Sequence, residues 1–188
     1  MRSFDDIHSI AADRKGGADA LEALLSRPLP HAQLLTTTDD RWLAAMAKAL
    51  FQAGFNWKVI ESKWKGFETA FDGFDPQRVA FYNDDQMDRL LSDKGIVRHG
   101  AKIAAVFDNA QFVCDLAKEN GSAGAFFANW PSEDFVGLLE FLKKHGSRLG
   151  GVTGQRVLRV MGRDAFLLSS DVTARLIAES VVDQPPTS

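Results

Sequence analysis

The sequence predicts an all-α single domain of about eight or nine helices, and three observations predict it. Apolar residues recur at three- and four-residue steps along most of the chain. No alternation of period two runs longer than four residues, and no internal repeat at fixed spacing occurs. At 188 residues, 45% hydrophobic and 25% charged, the chain can bury one sizeable core and is too mixed for a fibre or a disordered chain.

The elements follow from caps and breakers. Residues 1–38 form an N-terminal helical segment set apart from the body, which spans 39–180. Thr38-Asp39-Asp40 offers N-cap chemistry, then Trp42, Leu43, Met46, Leu50 and Ala53 recur at helical spacing until Gly54 stops the helix. A second helix runs from Trp57 to Phe71 with Val59, Ile60, Trp64, Phe67 and Phe71 inward. Gly73-Phe74-Asp75-Pro76 is a turn whose proline opens a short helix at its first position. Asn83 caps a helix carrying Met87, Leu90 and Leu91, and Gly95 interrupts. A long helix from about Arg98 to Asn120 then presents Ile103, Val106, Ala110, Val113 and Ala117 on one side. A short aromatic helix with Phe126, Phe127 and Trp130 ends before Pro131, and Ser132 caps the next, with Phe135, Leu138, Leu139 and Leu142 inward. The glycine-rich turn Leu149-Gly150-Gly151-Val152-Thr153-Gly154 leads into a helix over Gln155–Met161, and a last helix starts near Asp171 and reaches about Ser180. Residues 181–188, with two prolines, are expected to be a disordered tail.

Composition narrows the function classes. No apolar run approaches the ~20 residues of a membrane-spanning helix. The N-terminus MRSFDDIHSIAADRKGG carries acids where a signal peptide needs an apolar stretch. One cysteine, Cys114, excludes an intramolecular disulfide and any multi-cysteine metal site. A cytoplasmic address is expected. With 22 basic and 25 acidic residues the net charge is −3, which argues against a globally basic nucleic-acid binder. The distribution is uneven, however. Between Phe141 and Arg163 lie Lys143, Lys144, Arg148, Arg156, Arg159 and Arg163 and no acid, so the rest of the chain carries −9. That run is either one basic edge on an acidic body or a solvated helix face.

The stretch Gln52-Ala53-Gly54-Phe55-Asn56-Trp57 is a helix ending in a small-residue turn that presents an indole and two amides together. Indole stacks on planar heterocycles and amides read donor and acceptor edges. The alternative is a core tryptophan with amides capping helix ends. The glycine turn at 149–154 admits two readings as well. Its backbone N–H groups and the following helix N-terminus suit a phosphate, or it is an ordinary connection with glycine at a C-cap. Arg98, His99 and Lys102 open the long helix and form a small basic cluster that either contacts a ligand or solvates a surface. His8, His31 and His145 read as surface residues, and Cys114 as a small buried apolar group.

The chain carries, in order, Gln52-Ala53-Gly54-Phe55-Asn56-Trp57, Phe74-Asp75-Pro76 with Val79 and Ala80, Asp88-Arg89-Leu90-Leu91, Gly95-Ile96-Val97-Arg98-His99 with Lys102-Ile103, Asn109-Ala110, and Leu142-Lys143-Lys144-His145-Gly146 followed by Gly151 and Thr153. In these residues, from Trp42 to about Arg175, it resembles the DNA-3-methyladenine glycosylase I family. The resemblance implies a helix–hairpin–helix domain over 39–180 that everts a damaged nucleotide from duplex DNA and hydrolyses its N-glycosidic bond. It implies a base pocket with Trp57 as stacking wall and Gln52 and Asn56 at the rim. DNA contacts would come from Arg148, Gly151, Thr153, Gly154 and Arg156. The implied partner is double-stranded DNA with an alkylated base, bound by a monomer without a membrane and without a cofactor.

The sequence departs from the family pattern in three places. The family's base-reading glutamate, three residues before the motif glutamine, is Ala49 here; Asn56, Glu61 or an N-terminal acid are the candidates to replace it. The family's C-terminal zinc-ligand positions are Asp171 and Arg175, which predicts no zinc and leaves room for a salt bridge between them. The catalytic aspartate of the wider superfamily aligns with Ser169, and a slip of one or two residues makes Asp171 the acid. Three functions therefore stand: a glycosylase for alkylated purines, a catalytically silent DNA binder on the same fold (favoured by Ala49), and a helical binding domain with no nucleic-acid role (favoured by the acidic balance).

Overall fold

Trp42, Leu43, Met46, Ala47, Leu50 and Phe51 are all buried on one helix, and that helix organises the molecule. The computed structural model describes residues 2–185. Among them are twelve α-helices, one 3-10 helix and no strand. The central pair is α4 (Asp39–Gln52) against α8 (Gly100–Asn120). The apolar rows of α8, Ile103, Val106, Ala110 and Val113, are buried as their spacing predicts, while Ala117 is half-buried.

Around this pair stand α5 (Trp57–Ala70), α6 (Pro76–Val79), α7 (Asp84–Ser92) and α9 (Ala123–Asn129). The indole of Trp42 stacks on Phe127 of α9 with ring centroids 4.1 Å apart. Trp64, Phe67, Phe71 and Phe74 form a ladder of near-parallel rings under α5. Fully burying one such ring contributes roughly 1.5–3 kcal/mol, so this aromatic layer is a main stabiliser of the fold. Three helices complete the body: α10 (Phe135–His145) and, after the turn at 146–151, α11 (Val152–Val160) and α12 (Ser170–Ala178). Nine of the twelve α-helices lie within 39–180. The others lie in the N-terminal segment: α1 (Phe4–Lys15), α2 (Ala18–Glu22) and α3 (His31–Leu35). Two of those have five residues, too few for an apolar period to register.

Caps explain most boundaries. Asn83 and Gln86 form a capping box on α7, and Pro76 opens α6 under the side chain of Asp75. Four local expectations change. Asp134, not Ser132, caps α10, its Oδ1 accepting from Gly137 N–H at 3.0 Å. The helix expected at Gln155 starts at Val152, so Thr153 and Gly154 belong to its first turn and not to the hairpin. Val59 faces outward, because the inner side of α5 is taken by Ile60 and Phe67, and Ala53 is the exposed C-cap of α4. Cys114 is half-buried, not buried. Past α12, residues 181–185 carry no regular element, and the last three residues of the expected tail lie outside the described residues.

Candidate functional site

The turn between α4 and α5 is built by Gly54, at φ +74°, where a side chain would be strained. Asn56 caps α5, its Oδ1 accepting from Lys58 N–H at 2.9 Å. That bond commits the Asn56 oxygen to the helix end and away from any ligand. Trp57, the first residue of α5, is therefore projected outward, and it stands 49% exposed. Beside it opens a cavity of about 650 Å³ whose walls include Ala49 and Gln52 from α4, Trp57 and Glu61 from α5, and Arg156 and Val160 from α11. The Arg156 guanidinium lies 4.3 Å from the centroid of the Trp57 ring, a cation–π contact, and burial pulls its pKa down. Each of the two sequence readings is met in part: the indole is exposed and not core, while the Asn56 amide caps a helix end. A larger hollow of about 810 Å³, walled by Asp39, Asp40, Asp72 and Asp75 at the other end of α4, holds none of the nominated residues.

The cavity's carboxylate comes from α5. Ala49 is 3% exposed and offers only a methyl group, whereas Glu61 sits one helical turn after Trp57. Its Oε1 accepts from Gln52 Nε2 at 3.2 Å, and its Oε2 lies 2.8 Å from Lys48 Nζ. Arg27, Lys48, Arg156 and Arg159 also line the space, so four cations face one acid. The N-terminal segment closes one side through Arg27 and Leu29, with Leu29 N–H donating to Gly162 O at 2.7 Å.

The basic run divides by role. Lys143, Lys144, Arg148 and Arg159 are exposed, and Arg156 covers Trp57. Arg163 is structural, its guanidinium donating to the carbonyls of Ala128 and Trp130 at 3.3 and 2.6 Å, at the end of α9. Arg148 and Gly151 both take positive φ in the α10–α11 turn, at +60° and +59°. Gly151 is exposed and Thr153 half-buried, whereas Gly154 is buried against Leu149 O so closely that a Cβ would collide with that carbonyl. Gly154 thus packs α11 on the turn. The turn is held from behind by Asn109, fully buried on α8. Its Nδ2 donates to Ser147 O at 3.0 Å, and its Oδ1 accepts from Ser147 N–H at 2.8 Å.

Lys102 and His99 have internal duties. Lys102, 7% exposed, donates from Nζ to Ala53 O at 2.5 Å, on the carbonyl end of α4, and burial together with Arg148 pulls its pKa down. His99 caps α8. On α12, Ser169 is the N-cap and accepts from Val172 N–H at 3.2 Å, and Asp171 is exposed outside the cavity. The expected Asp171–Arg175 pair does not form, because Arg175 reaches Glu179 at 2.8 Å on the next turn. Arg175, a cation engaged in that ion pair, offers no lone pair to a metal. No helix among the described residues is long and apolar enough to cross a membrane.

The sequence model of the methyladenine glycosylase family matches residues 35–137, more than half of the chain. This chain belongs to that family. The match runs from α3 to the start of α10 and stops short of the α10–α11 turn. DNA-3-methyladenine glycosylase 1 of Escherichia coli K12 is 36% identical over 85 residues, 45% of this chain and 41% of that protein. The chain thus spans about two fifths of the length of this curated relative. A structure of the 3-methyladenine glycosylase I of Staphylococcus aureus, solved to explain 3-methyladenine recognition, superposes with a TM-score of 0.59 at 27% identity, over 70% of this chain and 81% of that one. A solution structure of a 3-methyladenine DNA glycosylase I, 20% identical, covers 89% of this chain with a TM-score of 0.54, which extends the shared fold beyond the matched segment. Within the methyladenine glycosylase family the chain is divergent, with alanine at 49.

Proposed function

We propose that this protein is a base-excision DNA glycosylase for alkylated purines of the 3-methyladenine type. The carrying observation is that the half-exposed indole of Trp57 lines a cavity of about 650 Å³ beside Gln52 and the basic edge. An N3-alkylated adenine in DNA is cationic and already a good leaving group. The protein must then evert it, stack it, and admit a water to the sugar. The C–N bond breaks with its electron pair going to the base, which leaves neutral. Water adds to the sugar carbon and releases a proton. The α10–α11 turn, a helix–hairpin–helix in this reading, grips the strand through the free N–H groups of the first turn of α11 with Arg148 alongside. Duplex DNA treated with a methylating agent is expected to release 3-methyladenine on incubation with the protein. Release no higher than a buffer blank, at high protein concentration, overturns the assignment.

Ala49 favours a second reading, a DNA binder that does not cleave; binding without base release selects it. Affinity for duplex DNA is expected to fall steeply with salt, and Arg148→Ala to lower the slope of log K against log salt by about 1. A salt-independent affinity, unmoved by Arg148→Ala, removes both DNA readings.

A further inference from the structure

The α4 wall of the cavity presents a methyl group at Ala49, which neither donates nor accepts a hydrogen bond. Three residues on, Gln52 lines the same wall and is 8% exposed. Its partner is a carboxylate, and a carboxylate at neutral pH only accepts. The contact of 3.2 Å to Glu61 Oε1 therefore fixes which end of the amide is which. The NH₂ faces α5, and the carbonyl oxygen takes no hydrogen bond among the described residues. Glu61 is held in turn. Lys48 Nζ lies 2.8 Å from its Oε2, and the same ammonium sits 5.0 Å from the Trp64 ring centroid. Lys48 and Gln52 are one turn apart on α4, as are Trp57 and Glu61 on α5, so indole, carboxylate and amide border one cavity.

We infer that Gln52 is the specificity-determining residue of this pocket, offering its carbonyl oxygen to the exocyclic amine of the base that stacks on Trp57, and that Glu61, clamped by Lys48, is the positioning residue that holds the amide in that orientation. This rests on the functional reading above and names its substrate class. A neutral acceptor discriminates by edge, not by charge. Purines with an amine at C6 are accepted, and those with a carbonyl there meet oxygen with oxygen and leave both unpaired.

The test is calorimetric titration of the full chain with two free bases, 3-methyladenine and 3-methylguanine. Wild type is expected to prefer 3-methyladenine by about tenfold. In Glu61→Gln the new amide both donates and accepts, so Gln52 is free to turn over, and the preference is expected to fall severalfold toward unity with little change in thermal unfolding. Gln52→Met, which keeps the volume and removes the acceptor, is expected to abolish the preference. An unchanged ratio in Glu61→Gln overturns the inference and leaves the functional reading standing. Equal weakening of both bases gives Glu61 a merely structural role and likewise overturns it. Failure of wild type to bind either base overturns the functional reading, and the inference with it.

Discussion

Asn109→Ala is expected to lower the stability of the fold by about 2–4 kcal/mol, more than most single changes at a polar residue. The side chain makes two hydrogen bonds to the backbone of Ser147, and it is fully buried. Alanine leaves the Ser147 N–H and carbonyl without partners, and each such loss costs about 1–3 kcal/mol, with the low end applying because Ser147 itself is half-buried. Asn109→Asp separates the two bonds. The carboxylate still accepts from Ser147 N–H but faces the Ser147 carbonyl with a second oxygen, so it is expected to be no better than alanine. Urea unfolding checks this: the midpoint should fall for both variants at constant slope. A midpoint that stays within 0.5 kcal/mol of wild type in free energy, roughly the range of a neutral surface change, shows that the clamp carries no load. Because the clamp sets the turn that presents Arg148, DNA affinity should weaken in the same variants.

Asn109 also illustrates what a sequence hides. A lone asparagine beside Ala110, in the apolar row of Val106 and Val113, is visible as an anomaly, and the family likeness picks out the pair. That it reaches across to a loop 38 positions later is a tertiary fact with no local signature. Lys102 is similar. A lysine opening a long helix after Arg98 and His99 looks like a DNA contact or a solvated charge, yet it caps the carbonyl end of α4. By contrast, α4, α5, α7 and α8 are legible almost to the residue, because each combines a cap, a 3.6-residue apolar period and a breaker. The α10–α11 turn is only half legible. Glycines at 150, 151 and 154 read alike in sequence, but Gly151 answers a backbone angle and Gly154 a close approach to Leu149 O. The chain therefore re-enters a helix three residues earlier than the glycine cluster suggests.

The pocket divides along the same line. The grouping of Trp57 with Gln52 follows from one short segment and is found there. The cation on the indole, Arg156, comes from about a hundred positions away and is brought by the packing of α11 on α4. Glu61 is reachable in principle, since a residue four after Trp57 on a helix shares its face. What periodicity does not supply is that Lys48 and Gln52 converge on the same carboxylate. Nor does the N-terminal segment announce itself: Arg27 and Leu29 follow no helical pattern, yet they close the cavity.

Trp57→Ala is expected to cut release of 3-methyladenine from methylated DNA by roughly ten- to hundredfold, because stacking of a base on an aromatic side chain contributes about 1–3 kcal/mol. The fold should survive. The indole is 49% exposed, and its contact with Arg156, on the order of 0.5–1 kcal/mol at a site open to solvent, is its main internal interaction. Trp57→Phe keeps a smaller π face and should recover part of the activity, which a loss through unfolding would not show. Arg156→Ala then tells which face of the indole the base uses. If the base and the guanidinium compete for one face, base affinity rises when the guanidinium is removed, while duplex affinity falls. If they stack on opposite faces, both affinities fall together. Release that is unchanged in Trp57→Ala, with the fold intact by thermal unfolding, removes the indole from the reaction and the cavity beside it from the assignment.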